Sequence, residues 1–272
     1  MKNNKKLLCA LMGFVLTSFT QLSTAAGFEI ATAPSRFELT AKSGQRIGQS
    51  LEIQNIGRDA NEIAIRTMDW TYSEDGRITY YDELLPDSCR EWVTLERGLI
   101  KIPAKGKNNF RFQVDIPADV PRTECRFMIA IEGVEPAHRT LLQSAGANLS
   151  LPVTGRIAVA VYLSINGAEP ELKIGQISVK TIKGQRLPVV TVTNSGDAHG
   201  RLEGTLEAID AVGRPLQLSP EGTPILPKQT RSLALLPLGE QNGKAPPIHY
   251  PISSKGNLDW DKGSFKLNAT FK

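Results

Sequence analysis

The sequence predicts an all-β protein: two consecutive immunoglobulin-like β-sandwich domains behind a cleavable export signal. Three observations carry that reading. Apolar and polar residues alternate with a period of two through most of the chain, and no stretch sustains a helical period. A turn-rich segment near residue 168 divides the alternation into two parts, each long enough for one domain.

The chain opens with three zones. Lys2, Lys5 and Lys6 make a positive start, Leu7 to Leu16 is an apolar run, and Ser23-Thr24-Ala25-Ala26 offers small residues to a signal peptidase. About ten apolar residues are too few to cross a bilayer, where roughly twenty are needed, and they suit the core of a signal peptide. Residues 1–26 are therefore read as a cleaved signal, with a buried N-terminal helix as the alternative. Cys9 lacks the small residue before it that a lipid anchor requires. No later segment is long and apolar enough to span a membrane, so the mature protein is expected to be exported and soluble, not membrane-spanning.

Processing changes the charge argument. The whole chain is formally +4, and the signal carries three lysines and no acid, which leaves the mature chain at +1. That balance gives no reason to expect nucleic-acid binding. Two cysteines remain, Cys89 and Cys125. In an oxidising compartment an isolated pair most simply forms one disulfide, worth about 3 kcal/mol for a loop of this length; two free thiols are the alternative. His138, His199 and His249 are scattered without ligand spacing to either cysteine, so no metal site is expected.

The strands follow in order. Leu51 and Ile53 share a face, as do Phe110, Phe112, Val114 and Ile116, and then Phe127, Ile129 and Ile131. The longest stripe is Leu149, Leu151, Val153, Gly155, Ile157, Val159, Val161, Leu163 and Ile165, opposite Ser150, Thr154, Arg156, Tyr162 and Ser164. A strand of that length exceeds the usual five or six residues, so it either outruns its own sheet or pairs with something else. Two readings stay open: a strand free to complete another protein's sheet, or ordinary core that bends between sheets at Gly155. Pro152 suits either if it lies at an edge. Ser144-Ala145-Gly146-Ala147, just before it, reads as a mobile small-residue segment.

Asn166-Gly167-Ala168-Glu169-Pro170 reads as a hinge, with domains at 27–167 and 168–272. Alternation resumes in Ile177-Ser178-Val179, Val190-Thr191-Val192 and Phe265 to Phe271. A weak internal repeat supports the division. Leu51 to Gly57 is a strand running into an Asn-x-Gly turn, and Thr191 to Gly196 does the same. Later in each half come a short apolar stretch, a proline, a basic turn and another strand, at Ile100 to Phe112 and Ile225 to Leu235.

There is no Gly-x-Ser-x-Gly elbow, phosphate-cradling glycine loop, His-Glu-x-x-His or Cys-x-x-Cys motif. Clusters such as Glu74-Asp75, Asp82-Glu83, and Lys101 with Lys105, Lys107 and Arg111 read as solvated loops and rims. The chain is therefore read as a binding protein without cofactor, not as an enzyme.

The order of these features resembles the PapD-like periplasmic chaperones of chaperone–usher pilus assembly. Its carriers are Pro34-Ser35-Arg36-Phe37-Glu38-Leu39, Gly44 with Asn55, Trp92 to Pro103 with Phe110-Arg111-Phe112, Pro121-Arg122-Thr123-Glu124, and the stretch 149–165 before the hinge. The resemblance implies two immunoglobulin-like domains set in an L. It implies capping of pilus or fimbrial subunits in the periplasm and delivery to an outer-membrane usher. The last strand of the first domain, here Leu149, Leu151 and Val153, would lend the subunit the strand it lacks. Two basic residues would anchor the subunit's C-terminal carboxylate. The first is Arg36; the second is Arg156 if the basic residue is aligned, or position Ala158 if the donor aliphatics are. The Cys89–Cys125 pair is no part of the family pattern and would tie the sixth strand to the preceding loop. A structural or adhesive surface protein built from the same sandwiches is the alternative.

Overall fold

The computed structural model describes residues 28–272 except 75, 135–137, 145–146, 154, 183 and 240–246, and only the backbone course of 138–144 and 147–153. The signal read at residues 1–26 lies outside the described residues. The chain is all-β, folded as two consecutive sandwiches; one 3-10 turn at Arg90–Trp92 interrupts the strands.

The first sandwich packs two sheets face to face. One sheet has the order β1-β3-β8-β6, from β1 (Ile30–Ala33), β3 (Arg46–Asn55), β8 (Lys107–Asp115) and β6 (Val93–Leu95). The other has the order β2-β12-β9-β4-β5. It is built from β2 (Arg36–Ala41), β12 (Arg156–Ile165), β9 (Thr123–Gly133), β4 (Asn61–Tyr72) and β5 (Ile78–Tyr81), with β7 (Leu99–Ile102) beside β4. The chain passes from one sheet to the other between β1 and β2, at a cis Ala33–Pro34 bond. Alternate residues point to opposite faces of a strand, so the stripes become the core. Leu51, Ile53, Phe110, Phe112, Val114, Phe127, Ile129, Ile131, Val159, Val161, Leu163 and Ile165 are all buried in it. Cys89 and Cys125 are joined by a disulfide with Cα atoms 5.6 Å apart, tying the loop before β6 to β9.

The hairpin β10 (His138–Ser144) and β11 (Ala147–Val153) forms a separate two-stranded sheet. The alternation from Leu149 to Ile165, read either as one free strand or as one that bends at Gly155, is divided in the structure: β11 ends at Val153 and β12 begins at Arg156, directly after Gly155.

The second sandwich contains β13 (Leu172–Ile182), β14 (Gln185–Asn194), β15 (Leu206–Ile209), β16 (Pro215–Pro220), β17 (Thr230–Pro237), β18 (Ile252–Trp260) and β19 (Gly263–Phe271). Their order is β13-β14-β17-β16-β15-β18-β19. β17 pairs with β14 through Thr230–Ala234 and with β16 through Leu235–Pro237, so it carries the chain from one layer to the other. Val190, Val192, Leu206, Leu218, Leu233, Leu235, Leu258 and Phe271 fill the space between the layers.

The weak repeat has a physical basis. Asn55 and Asn194 are both fully buried. Asn55 Nδ2 donates to the carbonyls of Asp59 (2.7 Å) and Ile102 (3.2 Å), while its Oδ1 accepts from Gly57 N–H (2.9 Å). Asn194 Nδ2 donates to the carbonyls of Ala198 (2.7 Å) and Ile225 (3.0 Å), and its Oδ1 accepts from Gly196 N–H (3.0 Å). Each asparagine thus closes its own turn and clamps the distant apolar-proline stretch onto the strand. The facing turns match as well. Lys105 and Lys228 both adopt left-handed backbone (φ 56° and 59°), and their ammonium groups donate to the carbonyls of Ile56 and Ser195.

Removing either amide leaves buried carbonyls without donors, which costs roughly 1–3 kcal/mol in a protein interior. Asn194→Ala is therefore expected to lower the unfolding free energy by about 2 kcal/mol. Urea denaturation measures this, and a change below about 0.5 kcal/mol would show that the clamp is dispensable.

Candidate functional site

β12 is paired with β9 along its whole length, from Arg156↔Glu132 to Ile165↔Thr123. On its other side the parallel strand β2 begins only at Ala160↔Arg36 and runs to Ile165↔Ala41. Residues Arg156 to Val159 therefore have no neighbouring strand on that side among the described residues. β11 has the same character, with β10 on one side and, among the described residues, no strand on the other. Leu149, Leu151 and Val153 occupy alternate register positions, opposite Leu142, Thr140 and His138 of β10. Of the segment Ser144-Ala145-Gly146-Ala147, read as mobile, Ser144 ends β10, Ala147 begins β11, and Ala145 and Gly146 lie outside the described residues.

The structure does not bring Arg36 and Arg156 together. Arg156 lies four residues before Ala160, the partner of Arg36. At roughly 3.3 Å per residue, that is about 13 Å along the strand. Position Ala158, the other alignment, stands midway. Arg156 Nε is 2.5 Å from Glu132 Oε1, and Glu132 also meets Arg66 (3.2 Å), which pairs with Asp82. The result is a row of alternating charge across β12, β9 and β4 at the foot of the hairpin.

Arg36 belongs to a different group, in the cleft between the two sandwiches. Its Nε donates to Glu38 Oε1 at 2.6 Å, and Nε of Arg201, from the second sandwich, stands 3.6 Å from the same oxygen. His199 Nε2 is 3.7 Å from Glu38 Oε2. Behind it, the fully buried carboxylate of Glu124 lies 2.6 Å from His199 Nδ1 and accepts the His199 backbone N–H at 3.1 Å. A carboxylate can only accept, so Nδ1 carries a proton. The His199 ring stacks on Tyr162 at 3.9 Å, and Arg201 donates to the Tyr162 hydroxyl at 3.3 Å. The cleft is completed by Glu203, Asp259, Trp260 and Asp261.

These contacts set the ionisation states. The carboxyl of Glu38 is held down at about 2, chiefly by His199, with burial opposing and Arg36 assisting. Burial pulls His199 downward, but hydrogen bonding to Glu124 and Glu38 outweighs it, so the net shift is upward. Burial pushes the Tyr162 hydroxyl up. Further contacts fix the same interface: Gln229 Nε2 donates to the Tyr72 carbonyl at 2.7 Å, Arg122 pairs with Asp197 at 2.7 Å, and Leu226 packs among Met68, Trp70, Met128 and Tyr162.

The resemblance singled out Arg36 through its Pro-Ser-Arg context, and nothing in the sequence joined it to Glu38, Glu124, His199 and Arg201 as a unit. These four come from β2, β9 and the segment after β14, and no local spacing joins them. The expectation of no metal site concerned the histidines; among the described residues no group of three His, Cys, Asp or Glu side chains is arranged to hold a metal ion.

The shifts give the interface a pH window. His199 has a raised folded value, so its contribution is complete below its unfolded value of about 6.5 and is lost as pH rises through the folded one. Glu38 is depressed, so its contribution is present above its unfolded value of about 4.5 and is lost as pH falls toward about 2. The excess thermal stability of the native chain over His199→Gln is expected to be greatest near pH 5–6 and to shrink by about pH 9. Melting curves across that range measure it; an excess that grows with pH would contradict the assignment.

No protein-family model and no curated protein matches the chain. Among solved structures, the YadV chaperone is 15% identical with a TM-score of 0.47, covering 89% of this chain and 99% of that one. The CsuC–CsuE chaperone–tip adhesion subunit pre-assembly complex of the archaic chaperone–usher Csu pili of Acinetobacter baumannii is 14% identical, with a TM-score of 0.45 and coverage of 89% and 97%. The SafA pilin in complex with the SafB chaperone, from Salmonella enterica, is 13% identical, with a TM-score of 0.46 and coverage of 89% and 97%.

Proposed function

We propose that the chain is a periplasmic chaperone of pilus assembly. In this reading residues 1–26 direct export, 27–167 and 168–272 form the two domains, and the mature protein caps pilus or fimbrial subunits and delivers them to an outer-membrane usher. The observation that carries the reading is the half-covered strand β12. Its free edge at Arg156–Val159, with that of β11 beyond it, offers a run long enough to pair with a strand of ordinary length.

The chemistry is that of strand addition. A subunit whose sandwich lacks a strand has an unpaired edge and an open apolar groove, and both promote aggregation. An added strand satisfies the edge through backbone hydrogen bonds, while side chains at alternate positions fill the groove. Leu149, Leu151 and Val153 hold such positions. Arg36 stands where β2 begins to cover β12, at the closed end of the open run. A partner strand lying along that run and ending there would bring its terminal carboxylate to Arg36. Glu38 already places a carboxylate between Arg36 and Arg201. Arg156 is the second basic contact, four residues back along the run. Charge-assisted contacts of this kind fix register, because a slip of one residue turns every side chain to the wrong face. Capping draws on binding energy alone and involves no cofactor.

Co-expression with an aggregation-prone pilin is expected to yield a one-to-one complex. Leu149→Glu with Leu151→Glu is expected to abolish that complex while leaving the melting temperature of the free protein unchanged. Arg36→Ala is expected to weaken it at least about tenfold, the scale of one charge-assisted hydrogen bond. An intact complex with the double variant contradicts strand lending, and unfolding of the first sandwich would favour the reading of residues 149–153 as core.

A further inference from the structure

The hairpin leaves the sandwich at two facing glycines. Gly133 ends β9, Gly155 immediately precedes β12, and the N–H of Gly133 reaches the carbonyl of Gly155 at 3.4 Å. Both lie against the ring of Phe28. A Cβ at Gly133 would stand 3.2 Å from Cδ2 of Phe28, and a Cβ at Gly155 would collide with Cγ, Cδ1 and Cβ of the same side chain. Phe28 itself lies at the start of the other sheet: it leads into β1, and the carbonyl of its neighbour Glu29 accepts the N–H of Ile56 at 2.9 Å. Its half-buried ring therefore crosses the end of the sandwich, from one sheet to the base of the hairpin on the other, and joins the margin of the core.

We propose that Phe28 is a positioning residue, a wedge that sets the direction in which the β10–β11 hairpin leaves the sandwich. Two adjacent positions without side chains make the weakest point of the two-stranded connection, since glycine neither packs nor restricts its backbone. The aromatic ring occupies the space their missing side chains leave. With the ring in place the hairpin leaves the β9–β12 pair in one direction, so the free edges of β11 and β12 keep one relation to each other. Without it, the hairpin pivots about residues 133 and 155. The consequence for subunit capture rests on the strand-lending reading; the wedge itself does not.

Hydrogen–deuterium exchange on the full mature chain tests the wedge. Phe28→Ala is expected to speed exchange within residues 138–153 about tenfold or more and to leave β8 unchanged, with Phe28→Leu falling between. Gly155→Ala alone is expected to do the same by expelling the ring, and to add little in the Phe28→Ala background, where the collision is gone. Unchanged exchange at 138–153 in a folded Phe28→Ala protein overturns the proposal, as does full additivity of the two substitutions. Pilin capture then separates the two ideas. Slower capture by Phe28→Ala supports both, whereas faster exchange with undiminished capture keeps the wedge and contradicts strand lending.

Discussion

The coverage of β12 is the constraint on which the rest of the molecule depends. β9 holds all ten of its residues, and β2 holds only the last six. That inequality follows from the path of the chain, which spends residues 30–33 in one sheet before crossing at Pro34 to begin β2 at Arg36. A strand paired on one side only exposes unsatisfied backbone groups, a liability that proteins ordinarily cover, twist away or charge. Here the exposed stretch is the buried-core strand itself, with Val159 at 0% exposure. It is thus held rigidly from behind while its edge faces outward. An edge with that support can impose its register on a second chain.

The contacts between the sandwiches act on the other end of the same strand. Tyr162 lies on the outward face of β12 yet is buried, because His199 stacks on it and Arg201 reaches over it. The fully buried Glu124 side chain would lose its side-chain partner without His199, and leaving a buried polar group short of a partner is costly. The second sandwich therefore closes the C-terminal part of β12 and leaves its N-terminal part free. Arg36 and Glu38 sit at the boundary between the two.

Much of this was legible in the residues. The apolar stripes named the core strands, and the buried ends of Leu51–Asn55 and Val190–Asn194 explain why an Asn-x-Gly repeat was visible at all: one amide clamp is used in both halves. The pairing of Cys89 with Cys125 followed from their isolation. Two things were not legible. The alternation from 149 to 165 runs through Gly155 without a change of period, so the glycine offered a bend but could not decide for it, and the ring that lies against it, Phe28, is more than a hundred residues away in sequence. The cleft group is likewise assembled from β2, β9 and the second sandwich, so that two ordinary-looking carboxylates, an arginine and a lone histidine gave no local signal. Arg156, chosen for its charge, stands beside Glu132 rather than beside Arg36.

If a partner strand pairs with the free edge of β12, the amides of residues 156–159 report on it directly. Their exchange should be measured residue by residue in the free protein and in its complex with a pilin. The amides of alternate residues, those directed away from β9, are expected to pass from fast to slow exchange on complex formation. A stable complex in which all of those amides keep their free rates would contradict it.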